Sequence, residues 1–196
     1  EDPEKSRECM EKIQISAGHL LELVNDVLDM SKIEADQIEL PREPFNLEEL
    51  MREVRVLVDA QLTEMGIEHR ISRGHMVHTS LIGSPLQLRQ IMLNLFSNAI
   101  KYNKINGEIE INLKKDNDKV ILKIKDTGCG IKQSDLDKIF DRFYTIDKSH
   151  NEHSTGFGLG LAIVKKIINQ SGWKISVDSE YEKYTIFTVE FSPIIE

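Results

Sequence analysis

Asn94, Asn98 and Lys101 recur at helical spacing in NLFSNAIK, and that spacing sets two amides and an amine along one helix face. Magnesium already held by a triphosphate keeps several waters and needs few protein oxygens, so a neutral asparagine carbonyl is an adequate ligand. Lys101, one turn on, can meet a phosphate as a point charge. Taken alone, the spacing fits a solvated helix face better than a site. Two further motifs tip the balance. Asp126 opens DTGCGI, and Gly156 to Leu161 read GFGLGL. Together they offer a carboxylate at a strand end and a glycine-rich turn into a helix, which is the chemistry of a nucleotide site.

DTGCGI follows an apolar run, so Asp126 should end a strand where the chain turns on glycine, free to accept from an exocyclic amine. Gly128 and Gly130 would let the backbone approach a flat ring without a Cβ in the way. An ordinary strand-terminating turn is the plain alternative. Aspartic proteases also begin a catalytic loop Asp-Thr-Gly, but that fold is nearly all β and this chain reads as rich in helices. Cys129 reads as a small space-filler, with no histidine nearby in sequence to activate it. GFGLGL precedes LAIVKKII, so its glycines open a helix whose first amides can bind phosphate oxygens. It is not a dinucleotide-binding turn: the spacing is G-x-G-x-G, and the preceding HNEHST is no strand. Glycines for close helix packing are the structural alternative. Tyr144 to Thr155 is polar and long, which suits a mobile lid. Lys148, His150 and His153 are its basic residues, and the two histidines lack a second metal-ligand pair.

These groups need a scaffold. From about Glu4 to Glu34, Ile13, Leu20 and Val27 repeat every seven residues with Ala17, Val24 and Ser31 between them, predicting one long amphipathic helix. Pro41 and Pro44 break the pattern, QIELPREPF reads as an extended linker, and a domain boundary falls near residue 40. Asn46 with Glu49 starts a helix running to about Thr63, and Gly66 stops it. GIEHRIS alternates like a strand, and SPLQLRQIMLNLFSNAIKYN forms a second helix with proline in its first turn. EIEINLKK and KVILKIKD flank Asp116-Asn117-Asp118 as a hairpin. Short helices are expected at about 134 to 141 and 159 to 171, with strands near 173 to 179 and 184 to 192. This order predicts a two-layer α/β sandwich with a mixed sheet.

At 196 residues, with 40% hydrophobic and 30% charged content, the chain can bury one full-sized core. A formal charge of -8 and a pI near 5.3 argue against holding nucleic acid by bulk electrostatics. An anionic ligand must then be met by local chemistry. Cys9 and Cys129 have no paired spacing, so neither a disulfide framework nor a zinc site is suggested, and a reducing compartment is expected. No stretch reaches the apolar length of a membrane span, and EDPEKSRECM lacks the order of a signal peptide.

In order, NLFSNAIKY, DTGCGI, IFDRFY and GFGLGLAIV resemble the asparagine, first glycine, phenylalanine and second glycine boxes of sensor histidine kinases. ISAGHLLELVNDVLDMSKIEA resembles the second helix of that family's dimerisation and phosphoacceptor hairpin. The resemblance implies a mixed sheet packed by three main helices, shared with DNA gyrase and the heat-shock chaperones and preceded by the long helix. Residues 1–40 would belong to the hairpin and linker, and residues 41–196 would be the catalytic ATP-binding domain. ATP and Mg2+ would be bound: Asn98 would hold magnesium with Asn94 beside it, Lys101 would contact phosphate, and Tyr102 would pack by the nucleotide. Asp126 would accept from the adenine amine, with Gly128, Gly130 and Ile131 shaping the pocket. Phe140 and Phe143 would anchor the lid, and Gly156, Gly158, Leu159 and Gly160 would let it close over the phosphates. Thr145 stands where many relatives carry arginine, which leaves Lys148 as a phosphate contact. Glu182 and Tyr184 replace glycines of a third glycine box, which puts the last hairpin's turn in question.

No histidine here has the acceptor setting SHEIRTP, and His19 falls on the second hairpin helix. The expectation is a kinase core that phosphorylates a histidine on a helix outside this sequence and does not label itself. Its partners would be that helix and a response regulator receiver domain, within a full-length homodimer. No nucleic acid is expected, and any membrane contact would come through other segments of a sensor whose cytoplasmic portion this is. An exposed apolar stripe on the first helix is expected as well. Gyrase-like ATPases use an acidic general base where this chain has Asn94, so transfer fits better than rapid hydrolysis. The non-enzyme alternative is a degenerate kinase that docks proteins without nucleotide.

Overall fold

The computed structural model describes residues 41–73, 80–116, 119–146 and 157–192, with eight positions before them, Ser6, Arg7, Cys9, Met10, Ile13, Ala17, Leu20 and Val24. The elements run β1 (Glu43–Asn46), α1 (Leu47–Glu64), β2 (Glu68–Arg73), β3 (Ser80–Gly83), α2 (Pro85–Lys101), β4 (Glu108–Asp116), β5 (Lys119–Asp126), α3 (Gly160–Gln170), β6 (Lys174–Glu180) and β7 (Tyr184–Phe191).

Local chemistry sets the helix ends. The Asn46 side chain accepts from the N–H groups of Glu48 at 2.8 Å and Glu49 at 3.2 Å, capping α1. At the other end Gly66, at φ 63°, turns the chain so that the Ile67 N–H returns to the Leu62 carbonyl at 2.9 Å. Pro85 opens α2, where its missing N–H costs nothing.

Five strands form one sheet in the order β2-β4-β5-β7-β6; β2 and β4 are parallel and the other neighbours antiparallel. Alternation decides its faces. Ile109, Ile111 and Leu113 of β4, Val120, Leu122 and Ile124 of β5, and Phe187, Val189 and Phe191 of β7 are buried, while Glu110, Lys123 and Lys125 are exposed. The buried residues share one core with Val54 and Val58 of α1, Ile91 and Leu95 of α2, and Val164 and Ile167 of α3. Three helices over a mixed sheet make the expected two-layer sandwich.

Three details differ from the reading of the sequence. Part of the expected linker is strand β1, paired antiparallel with β3 from Glu43↔Gly83 to Asn46↔Ser80. Four-residue strands carry too little alternation to be read from sequence. The helix expected at 134 to 141 is instead a chain of turns, with Asp135 N–H bonded to Lys132 O at 2.9 Å, Lys138 to Asp135 at 2.8 Å and Asp141 to Lys138 at 2.8 Å. So short a segment cannot offset helix nucleation, and burial of Ile139 docks it without one. The last hairpin closes tightly without glycine, because Glu182 itself takes the left-handed conformation at φ 63°.

At the N-terminal positions described as helical, Met10, Ile13, Leu20 and Val24 are exposed, which is the expected stripe. Val27, Ser31 and His19 lie outside the described residues. Among the described residues, no helix is long and apolar enough to cross a membrane.

Candidate nucleotide site

One cavity, of about 150 Å3, lies where the C-terminal half of α2, the ends of β5 and β7, and the start of α3 meet. Asn94, Asn98, Lys101 and Tyr102 line it from α2 and its C-cap, with Asp126, Gly130 and Ile131 from the strand end and its turn. Gly158, Leu159 and Gly160 close the side formed by α3. Residues from three separate motifs thus face one space.

Asp126 is only 4% exposed. Its Oδ1 accepts the Gly128 N–H at 2.9 Å, and the carboxylate also takes the backbone N–H of Thr185, its cross-strand partner in β7. Burial nevertheless dominates and pushes its pKa up to about 6, since desolvation disfavours the charged form more than two hydrogen bonds favour it. A carboxylate so placed gains from any further donor that enters the cavity.

The α2 face of the cavity is amide-rich. The Asn94 side-chain nitrogen is buried without a hydrogen-bond partner. A Cβ on Gly160 would come within 3.3 Å of the Asn94 Oδ1, so glycine lets the first turn of α3 approach α2 closely. That turn carries the positive end of a helix, with backbone amides that no internal bond satisfies. Among the described residues no cluster of three His, Cys, Asp or Glu could cage a metal. The orphaned Asn94 amide N–H is a donor that fits a phosphate oxygen, and magnesium arriving with phosphates needs few protein oxygens, which an asparagine carbonyl can supply. Lys101 Nζ lies 5.0 Å from the centre of the Tyr102 ring, which holds the amine beside the cavity.

The glycines of DTGCGI do different work from that expected. Gly128 does not line the cavity: a Cβ there would fall 2.0 Å from the Tyr102 carbonyl oxygen. Gly130, at φ 62°, would meet the Glu180 carbonyl at 2.1 Å. Both are needed for the turn to seat against the end of α2 and the β6–β7 hairpin, a packing constraint, and of the two only Gly130 also lines the cavity. The Cys129 N–H donates to Tyr102 O at 3.0 Å, and its carbonyl accepts from Glu182 at 2.7 Å. Its side chain is exposed at the cavity, so it is no buried space-filler. Ser179 stitches the same turn to the hairpin, accepting from Ile131 N–H at 2.8 Å and donating to Tyr184 O at 2.6 Å.

Phe143 also departs from expectation. It is 69% exposed, at φ 59°, and lies outside the cavity lining. Its backbone N–H bonds to Gly158 O at 3.0 Å, so backbone joins this turn to the glycine segment. Phe140 is half-buried against the core, with Lys165 Nζ 5.4 Å from its ring centre. Lys148 and Gly156, like His150 and His153, lie outside the described residues. Thr145 lines the cavity.

Sequence reasoning missed Thr185 and Phe187, which alternate along β7 into the cavity, and Tyr144, Ile146 and Phe157, which flank the long polar segment. Period-two alternation after the last turn was the available signal for the first pair. Tyr144 donates to Asp135 Oδ1 at 2.9 Å, and that bond, more than burial, raises its pKa.

Comparison with known proteins fits this geometry. Residues 83–194 match the family described as histidine kinase-, DNA gyrase B-, and HSP90-like ATPase, and the chain belongs to it, as a histidine kinase catalytic ATP-binding domain. The circadian input-output histidine kinase CikA of Synechococcus elongatus is 34% identical over 199 residues, covering 95% of this chain and 25% of CikA. Full-length ShkA, solved in complex with AMPPNP, superposes with a TM-score of 0.84 at 30% identity over 97% of this chain and 39% of its own. ThkA, solved in complex with the response regulator TrrA, gives 0.75 at 28% identity over 98% of this chain and 52% of its own. The chain therefore spans a quarter of CikA's length and about two fifths of ShkA's.

Proposed function

We propose that the cavity binds Mg-ATP and presents its γ-phosphoryl group to a histidine supplied from outside residues 1–196, for relay to an aspartate of a response regulator. The observation that carries this reading is the pairing, in one cavity, of buried Asp126 with the Asn94, Asn98 and Lys101 face of α2. Asp126 would accept from the adenine amine, a donor that its desolvated carboxylate lacks water to replace. Asn98, with Asn94 beside it, would hold magnesium through amide oxygens, and Lys101 would pair with phosphate. When bound, magnesium supplies charge neutralisation on the phosphoryl oxygens. The protein's share is then positioning, by the α2 face and the amides that open α3.

Asn94 bears on the choice between transfer and hydrolysis. An amide cannot take a proton from an attacking water, so the site suits transfer to a nucleophile that brings its own reactivity. The AMPPNP complex of ShkA and the ThkA–TrrA complex support the nucleotide and the partner class. Residues 1–40 would serve the dimerisation hairpin and linker of a full-length homodimer, with residues 41–196 as the catalytic unit on the cytoplasmic side of a sensor.

The test supplies the missing nucleophile. The chain is incubated with magnesium and γ-labelled ATP, with and without a dimeric hairpin carrying the acceptor histidine. Acid-labile label on that hairpin, with little phosphate release in its absence, is the expected result. Rapid phosphate release without acceptor would instead assign an ATPase. Nucleotide binding with no transfer to any acceptor histidine would count against the kinase reading.

A further inference from the structure

The far end of the α2–α3 pair holds a second cavity, of about 280 Å3, that no motif marks. The first cavity sits at the end of α2 and the start of α3; the second sits at the start of α2, where Ser84 is the N-cap, and the end of α3, where Ser171 is the C-cap. The two spaces are thus at opposite ends of the same helices.

Its polar groups are unfinished. Ser84 is 5% exposed, lines the cavity, and makes no cap bond to its own helix; its Oγ has no hydrogen-bond partner. An N-cap serine normally spends that oxygen on the N2 or N3 amide. Ser171 Oγ is likewise buried and without a partner. The carbonyls that end α3 are largely taken: Ser171 N–H bonds Ile167 O at 2.9 Å, Gly172 bonds Asn169 O at 3.3 Å, and Trp173 bonds Ile168 O at 3.0 Å. Two hydroxyls, which can donate or accept, the Gln170 side-chain oxygen, which only accepts, and the positive end of α2 remain at the cavity.

Charge points the same way. Among the described residues, Arg42 is the one ionisable side chain of the lining and no carboxylate joins it, in a chain whose formal charge is -8. The walls are aromatic: Phe45 from β1, and Trp173 and Phe191, whose ring centroids lie 5.4 Å apart. A flat apolar body fits against these rings, and an acceptor-bearing anionic group fits the donors.

We infer that this cavity binds a small aromatic carboxylate, its ring against Trp173 and Phe191 and its carboxylate taken by Arg42 and the Ser84 hydroxyl. A buried hydroxyl without a partner costs stability, and a ligand oxygen or an ordered water can satisfy it. Water would leave no preference for an anion, which makes the two occupants separable.

Trp173 is the chain's only tryptophan, so its indole N–H gives a single resonance in a 15N-labelled sample. The probes are phenylacetate and its uncharged isostere phenylacetamide. Phenylacetate should shift the resonance saturably, with affinity roughly tenfold above the amide's. Arg42→Gln should abolish that preference, and Ser84→Ala should weaken phenylacetate about threefold while folding is retained, since it deletes an oxygen that no protein group uses. Asp126→Asn should leave phenylacetate affinity unchanged, which separates this cavity from the nucleotide site. The inference is overturned by absence of a saturable shift, by equal binding of acid and amide, or by an acid preference indifferent to both Arg42 and Ser84.

Discussion

The two walls of the nucleotide cavity are built by different means. One wall, Asp126, Thr185 and Phe187, stands on adjacent antiparallel strands, with Asp126 paired to Thr185 in register and the DTGCGI turn locked by Cys129, Ser179 and Glu182. The other wall, Tyr144 to Ile146 and Phe157 to Gly160, rests on turns, with single ties such as Phe143 N–H to Gly158 O and Tyr144 to Asp135. A ladder fixes a carboxylate against desolvation, and turns can shift when a ligand arrives. Recognition should therefore reside in the strand wall, and adjustment in the turn wall.

Substitutions can break that contrast. Gly130→Ala puts a Cβ 2.1 Å from the Glu180 carbonyl at φ 62°, so it should cost about 4 kcal/mol by urea unfolding, the sum of left-handed strain and overpacking. A loss under about 1 kcal/mol would show that the strand wall yields as easily as the turns.

Acid should act on Asp126 next. Its folded pKa, about 6, lies above the ordinary aspartate value of 3.8, so its contribution to stability is fully present below the unfolded pKa and lost as pH rises through about 6. The stability of the parent relative to Asp126→Asn should thus fall by roughly 2–3 kcal/mol between pH 4 and pH 7.5, read by urea unfolding of both chains. A constant difference would mean that the carboxylate is solvated. Two smaller effects sharpen the contrast. Glu182→Gly should stabilise the last hairpin by about 1 kcal/mol, by relieving the left-handed strain at φ 63°. Tyr144→Phe removes the bond to Asp135 on the turn wall and should change nucleotide affinity by only about two- to threefold by calorimetry, against a far larger effect of any change at Asp126.

What could be read from the sequence follows the same division. The helices from Leu47, Pro85 and Gly160 and the β4–β5 pair are long enough for their apolar period to show, and the Asn94-Asn98-Lys101 face follows once α2 is drawn. Strands β1 and β3, four residues each, have no period to detect, and the turns at 134 to 141 depend on Ile139 finding the core. The purpose of Gly128 and Gly130 was hidden because the atoms they avoid, the carbonyls of Tyr102 and Glu180, come from distant parts of the chain. Glu182 shows the reverse: a left-handed turn position held by a residue that does not signal one. Thr185 joins the site only because β5 and β7 pair in the register they do. The second cavity carries no sequence signature, since its residues are single serines, an arginine and aromatics from separate segments.

The most direct test of the account is calorimetric titration of the chain with Mg-AMPPNP at pH 7.5, beside Asp126→Asn, both verified as folded by circular dichroism. Asparagine keeps one acceptor oxygen where aspartate has two, and two backbone amides already call on them. Saturable binding by the parent is expected, weakened about a hundredfold or more in the variant. Equal affinity of the two chains would contradict it, because the nucleotide would then be recognised somewhere other than the buried carboxylate.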